Sequence, residues 1–256
     1  MAWLSSLTGY FDTGGTQEES RPLVVVGLLS PVNKWRRFDR AWDAIMGQFG
    51  VPYLHMKQIN CFPYRAPYDV WGDNENRRGE FLAAVAETMA THIHRMFTMY
   101  VDPSDYRAIN EQYNLDGFWQ GAYPITALAC LVRVDGWKKR QPKYSMHSVR
   151  YVFEDGDAGA ERFYALSRAM GFPVIPQPKK DPDTGEWFAP FQAADFVAWE
   201  TAREWVEMTA EERKHPRRKS LNKLLKHFRL ETSSFSLNAM RDLCDELPHL
   251  FPKRVS

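Results

Sequence analysis

The apolar run Leu23–Leu29, with the sequence LVVVGLL, is the feature that most restricts the fold of this chain. It is short, continuous and rich in valine, which predicts a strand that is buried on both faces. A second strand is predicted at Tyr10–Asp12, where the glycines Gly14 and Gly15 stop it. The two segments together predict a hairpin near the start of the chain.

Helices and single strands alternate after this hairpin. Apolar residues at helical spacing predict a helix that is opened by Pro31 and ended by Gly50. Later strands are predicted at Ile93–Val101 and Val149–Phe153, and a late helix is predicted at Pro190–Met208. This order predicts an α/β fold, with a mixed sheet flanked by helices.

Composition excludes several classes of protein. The chain of 256 residues is 44% hydrophobic and is long enough to bury a sizeable core. Its 33 Lys and Arg residues nearly balance its 32 Asp and Glu residues, so no overall field attracts nucleic acid or membrane. Three widely spaced cysteines, no secretory leader and no membrane-spanning apolar run predict a soluble, cytoplasmic protein. The glycine motifs of serine hydrolases, ATPases and dinucleotide-binding enzymes are missing.

Charge becomes strongly asymmetric after residue 208. The segment Arg213–Arg229 holds eight Lys or Arg residues and two His residues without an acid. We therefore predict a principal domain over residues 1–208 and a basic helical extension over 209–256, packed on the same domain. Such clusters suit phosphate contact, and the candidates for nucleic-acid binding here are Arg217, Arg218, Lys219 and Lys223. An amphipathic helix that docks through Leu221 and Leu224 explains the same residues, and the two interpretations are compatible.

Acidic residues stand at comparable places in several predicted elements. Asp12 ends the first strand, Glu154 and Asp155 follow the strand Val149–Phe153, and Asp195 lies in the late helix. Carboxylate oxygens are the natural ligands of Mg²⁺ and Mn²⁺, and two such ions promote phosphodiester hydrolysis. Acids at strand ends are nevertheless common in α/β proteins, so their spacing alone favours solvated or helix-capping carboxylates.

The order of these motifs resembles that of the family known as domain of unknown function 3800. The opening YFDTGG, the apolar strand, the first helix and the histidine of LHMK resemble the start of that family. The stretches YVFEDGDAG and FQAADFVAWE resemble its later acidic strand and its Gln-x-x-Asp helix. The resemblance runs in order from about Tyr10 to about Glu204.

This resemblance implies a ribonuclease H-like fold with family-specific helical insertions. It also implies a metal-dependent nuclease, a hydrolase that cuts DNA or RNA with one or two Mg²⁺ or Mn²⁺ ions. The implied catalytic residues are Asp12, Glu154, Asp195 and His55, and the implied metal ligands are Asp12, Glu154, Asp155 and Asp195. Gln192 and His55 are implied neighbours of the site.

One departure from the family pattern supports an alternative. The family usually has a second acid and a serine after its first aspartate, where this chain has Thr13 and Gly14. If the second acid binds metal, the chain is a catalytically inactive module that binds nucleic acid or protein. The genetic setting in which that family usually occurs suggests a role in phage defence or mobile-element biology for such a module.

Three further residues have both a functional and a structural interpretation. His55 is either a proton-transfer group or a histidine satisfied by the backbone. Lys179 and Lys180 either hold the scissile phosphate as point charges or belong to an exposed loop. The segment DPDTGEWF that follows them predicts a hairpin turn, with Asp183 and Gly185 at the reversal.

Overall fold

A computed structural model describes residues 6–15, 22–210, 214–227, 230–251 and 253. In these residues six strands form one mixed sheet, in the order β5-β4-β1-β2-β3-β6. β2 runs antiparallel to β1 and β3, whereas the pairs β1–β4, β4–β5 and β3–β6 are parallel. The strands are β1 (Leu7–Gly14), β2 (Leu23–Pro31), β3 (Arg95–Val101), β4 (Val149–Glu154), β5 (Val174–Gln177) and β6 (Leu230–Ser234).

Helices cover both faces of the sheet. Those of one face are α1 (Val32–Phe49), α2 (Met56–Ile59), α3 (Glu75–His92), α8 (Ala189–Thr209) and α9 (Lys219–His227), with a short 3₁₀ helix at Tyr68–Trp71. Those of the other face are α4 (Pro103–Tyr113), α5 (Leu115–Trp119), α6 (Ala122–Lys139), α7 (Ala160–Ala169) and α10 (Leu237–Glu246). The predicted α/β fold, a mixed sheet flanked by helices, is confirmed.

β2 lies between two hydrophobic cores, as its apolar sequence predicts. Val24, Val26 and Leu28 pack into the core beneath α1 and α8. Val25 and Leu29 alternate with them and pack into the core beneath α6. A strand buried on both faces has no polar side to expose, which explains the absence of hydrophobic alternation in this run.

Gly14 lets α8 cross closely over the end of β1. A methyl group added at Gly14 would lie 2.9 Å from Cβ of Ala198 and 3.3 Å from the Ala198 carbonyl carbon. Both atoms belong to the helix framework, so neither can rotate away as a long side chain would. The residue that departs from the family pattern at this position therefore has a packing role in this chain.

Two elements differ from the sequence predictions. The basic extension contributes β6, a strand of sequence LETSS that pairs with β3, although only helices were predicted there. The segment around His55, predicted as extended, enters the one-turn helix α2 immediately after that residue. Both are short and lack a distinctive periodicity, so tertiary pairing decides their conformation. Among the described residues, none of the helices combines the length with the apolar composition that a transmembrane segment requires.

We expect Gly14→Ala to destabilise the protein by about 1–3 kcal/mol, because the added methyl group overpacks the contact between β1 and α8. Gly47→Ala is the matched control, since Gly47 lies within α1 and a methyl group there meets no atom within 4 Å. That control should gain about 0.5–1 kcal/mol through helix propensity. Urea unfolding measures both changes, and an equal effect of the two substitutions would contradict the close approach of α8.

Candidate functional site

The register of β1 and β4 places Asp12 beside Glu154. Phe11 pairs with Phe153, and their rings stack with centroids 4.3 Å apart on the α6 side of the sheet. Side chains alternate along a strand, so the next residues, Asp12 and Glu154, both point to the α8 side. The two acids are 142 residues apart in the sequence (154 − 12) and become neighbours through this parallel pairing.

The Gln-x-x-Asp pattern of α8 presents two polar side chains to the same region. Gln192 and Asp195 are three residues apart, so they share one face of the helix. The buried Gln192 accepts hydrogen bonds from the Trp42 indole (3.1 Å) and from the Leu54 backbone N–H (2.6 Å). Asp195 accepts a hydrogen bond from the Met56 backbone N–H at 2.8 Å. The helix thus fixes the chain on both sides of His55.

His55 is held mainly through its backbone. Its N–H donates to the Tyr68 hydroxyl at 2.8 Å, and that hydroxyl donates to the Tyr53 carbonyl at 3.1 Å. The imidazole lies close enough to Asp195 to lower the pKa of that carboxyl group. Its Nδ1 atom is buried without a hydrogen bond to any described protein group. The structural interpretation of His55 therefore accounts for its backbone, whereas its ring lies beside the Trp187 ring and within electrostatic range of Asp195.

Lys179 places its ammonium group among these carboxylates. Its Nζ atom lies 3.2 Å from Oδ2 of Asp12 and 3.0 Å from Oε2 of Glu154. Its side chain is 19% exposed and that of Asp12 only 5%, so the ion pair is largely removed from water. Burial lowers the pKa of Lys179, but Asp12, Asp195 and Glu154 together outweigh it, and the net pKa is raised. We name Asp12, Glu154 and Asp195 the acid cluster, and Lys179 is the cation that contacts it.

Crowding and burial raise the pKa of the aspartates in this cluster. Burial raises the pKa of Asp12 well above its ordinary value, Lys179 opposes this shift, and Glu154 adds to it. Burial likewise raises the pKa of Asp195, again opposed by Lys179 and reinforced by Asp12. These carboxylates repel one another and have lost solvation, so a cation among them stabilises their ionised forms.

Asp157 is a further acid beside the cluster, and with Glu154 and Asp155 it is one of three neighbouring acids among which the sequence leaves the metal ligand open. Burial raises its pKa to about 6, with a hydrogen bond from Thr13 lowering it and the charge of Asp12 raising it. Thr13 is therefore a partner for this loop carboxylate. The EDGDAG stretch contains the only sequence signal for Asp157, and it does not distinguish among three neighbouring acids.

Other predicted site residues lie outside the acid cluster. The exposed Asp155 accepts a hydrogen bond from the Tyr164 hydroxyl at 3.0 Å, because it follows Glu154 and points to the opposite side. The exposed Lys180 lies over the Trp187 ring, 4.5 Å from its centroid. The hairpin predicted at DPDTGEWF is confirmed by the bridge between Lys180 and Trp187 and by a positive φ of 73° at Gly185.

The basic segment is anchored by ion pairs within the protein. Arg217 pairs with Glu204 at 2.9 Å, and Lys223 pairs with Glu87 at 3.0 Å. Arg218 lies 3.5 Å from the buried Glu200, while Lys219 is exposed. Leu221 and Leu224 lie on one side of α9 and are buried, which confirms the predicted apolar stripe of this helix. The role of these cations in nucleic-acid binding stays a prediction.

The donor chemistry of the cluster suits a hard divalent cation, since carboxylate oxygens are the ligands that Mg²⁺ and Mn²⁺ prefer. Burial raises the pKa of Asp12 and of Asp195, so a cation bound among these carboxylates would stabilise their ionised forms. In the arrangement of the described side chains, however, no group of three or more His, Cys, Asp or Glu residues is placed to hold a metal. Binding of a metal ion would therefore require the side chains of the acid cluster to rearrange.

A cavity of about 750 Å³ lies elsewhere, between α6, α7 and α10. Its lining is mostly apolar, as at Leu128 and Phe251, and it includes Arg133 and Arg140. None of the predicted site residues lines it. Apolar cavities of this size are common ligand sites, but the perturbed carboxylates lie at the sheet. The candidate site of this protein is therefore identified by its carboxylates with raised pKa values, and not by cavity volume.

No protein-family model matches this chain, and no curated protein matches it. The resemblance to the family of unknown function therefore stays a prediction. Among solved structures, the crystal structure of Bst-RNase HIII in complex with Mn²⁺ is similar, with 14% sequence identity and a TM-score of 0.44. The match covers 80% of this chain and 55% of that chain, so this chain spans little more than half of that protein's length. The similarity concerns the fold.

We expect Gln192→Leu to reduce the stability of the fold by about 2–5 kcal/mol, because two buried N–H donors, those of Trp42 and Leu54, lose their acceptor. Chemical denaturation measures the loss. Gln48→Leu, at an exposed position of α1, is the control and should change stability by no more than about 0.5 kcal/mol. A neutral Gln192→Leu variant would show that this side chain does not hold the His55 segment.

We expect Asp157→Asn to stabilise the protein at neutral pH. A folded pKa near 6, raised above the ordinary 3.8, means that the protonated form is favoured in the folded state. The wild-type protein should therefore lose stability as pH rises from about 4 to about 7, by up to about 3 kcal/mol, and the variant should lose less. Thermal unfolding of both proteins across this range checks the sign, and parallel pH profiles would contradict it.

Proposed function

We propose that this protein is a divalent-metal-dependent nuclease that hydrolyses phosphodiester bonds in DNA or RNA. The observation that carries the proposal is the convergence of acids from β1, β4 and α8 on one cation at one end of the sheet. Asp12, Glu154 and Asp195 come from remote parts of the chain, and each interacts with the ammonium group of Lys179. Structural carboxylates seldom gather in this way, because their burial and mutual repulsion destabilise the fold.

In this proposal Asp12, Glu154 and Asp195 hold Mg²⁺ or Mn²⁺. Such an ion, when bound, supplies an activated water and stabilises charge on the leaving oxygen. The protein contributes a site that is sheltered from water, in which electrostatic interactions with a phosphate are stronger than in solvent. The buried position of Asp12, beneath α8, provides this shelter.

His55 is the residue proposed to move a proton. Its backbone is fixed by Tyr68, and the flanking residues are fixed by Gln192 and Asp195. The imidazole is thereby positioned near Asp195, and histidine is the side chain that most often transfers protons in enzymes. We propose that its ring delivers a proton to the leaving oxygen of the cleaved strand.

The basic segment is proposed to guide the nucleic acid toward the cluster. A continuous series of contacts joins them: Met56 donates its N–H to Asp195, and its carbonyl accepts from Asn60 at 2.7 Å. Asn60 in turn accepts a hydrogen bond from Arg218 at 3.3 Å. Arg218 is therefore connected to the elements that hold Asp195, and the proposal is that the neighbouring cations of the segment meet the phosphates of a bound strand.

A catalytically inactive binding module is the second candidate function. The observation that favours it is the ion pair of Lys179 with Asp12 and Glu154, which already neutralises acids that a metal requires. Thr13, in place of a second acid, also favours the inactive binding module. Such a module would bind nucleic acid through the basic segment without cutting it.

We expect Asp12→Asn and Asp195→Asn each to reduce cleavage of labelled single-stranded, double-stranded and hybrid substrates by at least about 100-fold, because each removes a negative charge from the proposed metal site. The assay is run with Mg²⁺, with Mn²⁺ and with a chelator. Asp242→Asn, at an exposed position of α10, is the matched control and should cleave like the wild type.

Three outcomes decide between the two candidates. Cleavage that needs a divalent ion and is lost in both cluster variants supports the nuclease. Cleavage that survives in Asp195→Asn removes the acid cluster from the mechanism. Binding of the substrates by the wild-type protein without cleavage, under every metal condition, supports the inactive module.

A further inference from the structure

We propose that Lys179 is the resident counter-ion of the acid cluster, and that a divalent ion binds there by displacing its ammonium group. This inference rests on the proposed function, which requires a metal among the same carboxylates. It adds a role for a residue whose sequence context suggested only phosphate contact or an exposed loop. Metal and lysine are alternative occupants of one place.

The position of Lys179 explains why the described acids form no metal site as they stand. Its Nζ atom contacts Asp12 and Glu154 at 3.2 and 3.0 Å, distances at which a cation neutralises both. Asp195 adds to the same electrostatic balance. Two cations at such close range would repel each other strongly in a site sheltered from water, so the cluster holds one or the other.

The local structure allows the side chain to leave while the backbone stays in place. The Lys179 carbonyl accepts a hydrogen bond from the Phe188 N–H at 3.1 Å, at the base of the hairpin that Lys180 and Trp187 close. The lysine side chain is a flexible four-carbon stem, so its ammonium group can move several ångströms without any change in the hairpin. Lys180 points elsewhere, over the Trp187 ring.

Displacement gives Lys179 a second partner. Once released from Asp12 and Glu154, the ammonium group remains tethered beside the cluster, where a phosphate oxygen of the nucleic acid would lie. Metal binding therefore makes a cation available to the phosphate, and the phosphate in turn stabilises the displaced lysine. Such mutual reinforcement is a coupling free energy, which acts equally in both directions. In this protein, metal affinity should be weak until substrate is present.

The test is the Mn²⁺ affinity of the protein without nucleic acid, measured by calorimetry. Lys179→Met removes the competing cation and should bind Mn²⁺ at least about tenfold more tightly than the wild type. Lys179→Arg retains a cation at this position and should bind Mn²⁺ nearly as weakly as the wild type. Lys180→Met removes a neighbouring charge that does not contact the acids, and it should leave Mn²⁺ affinity within about twofold.

Thermal unfolding provides a second readout that does not depend on activity. In chelator, Lys179→Met should unfold at a lower temperature than the wild type, because its acids have lost their counter-ion. Added Mn²⁺ should restore the loss in Lys179→Met and shift Lys180→Met no more than the wild type. If Lys179→Met does not fold, Lys179→Gln is measured in its place.

Mn²⁺ binding by Lys179→Met, or by Lys179→Gln in its place, that is equal to or weaker than that of the wild type overturns the inference, as does the absence of Mn²⁺ binding in the wild type and in all of these variants. The proposed nuclease activity fails separately. Tighter Mn²⁺ binding by Lys179→Met without cleavage by any protein would refute the nuclease and leave the exchange of lysine and metal supported.

Discussion

The contact between one ammonium group and the carboxylates at the ends of β1 and β4 is the interaction on which the site depends. Asp12 is buried and Asp195 is partly buried, so their ionised forms need a positive charge that compensates for lost hydration. Lys179 supplies that charge in the structure described. Acids gathered in this way are stabilised in their ionised forms by a cation among them.

The sheet and a single helix give this cluster its geometry. Parallel pairing of β1 with β4 sets Asp12 beside Glu154, and stacking of Phe11 on Phe153 fixes the register. The helix α8 crosses above them at a distance that only a glycine at position 14 permits. The face that carries Asp195 also carries Gln192, whose amide holds the chain before His55. One helix therefore delivers an acid and positions the neighbouring histidine.

The basic segment contributes position as well as charge. Arg218 pairs with the buried Glu200 and bonds to Asn60, so it fastens α9 to the elements next to the site. Exposed pairs such as that of Lys223 with Glu87 are individually weak. The cations of this segment thus fall into two groups, one paired with buried acids and one paired with acids at the surface. Burial of the acidic partner distinguishes them.

The sequence by itself determined the elements that have a strong local pattern. The doubly buried strand β2, the amphipathic first helix and the hairpin turn at Gly185 were predictable, because periodicity and backbone preference act within a few residues. The candidate acids were also predictable, because the order of the short motifs resembles the motif order of a known family. The strand β6 was not predictable, because its sequence, LETSS, becomes a strand only by pairing with β3.

Tertiary structure alone decided which of these side chains meet. The choice between Glu154 and Asp155 depends on the face to which each points, and that face is fixed by the register with β1. Lys179 and Asp12 are 167 residues apart, and no local pattern marks them as partners. Closing so long a loop requires the whole sheet and the α8 crossing to form, because local preferences specify conformation along the chain and not contacts across it.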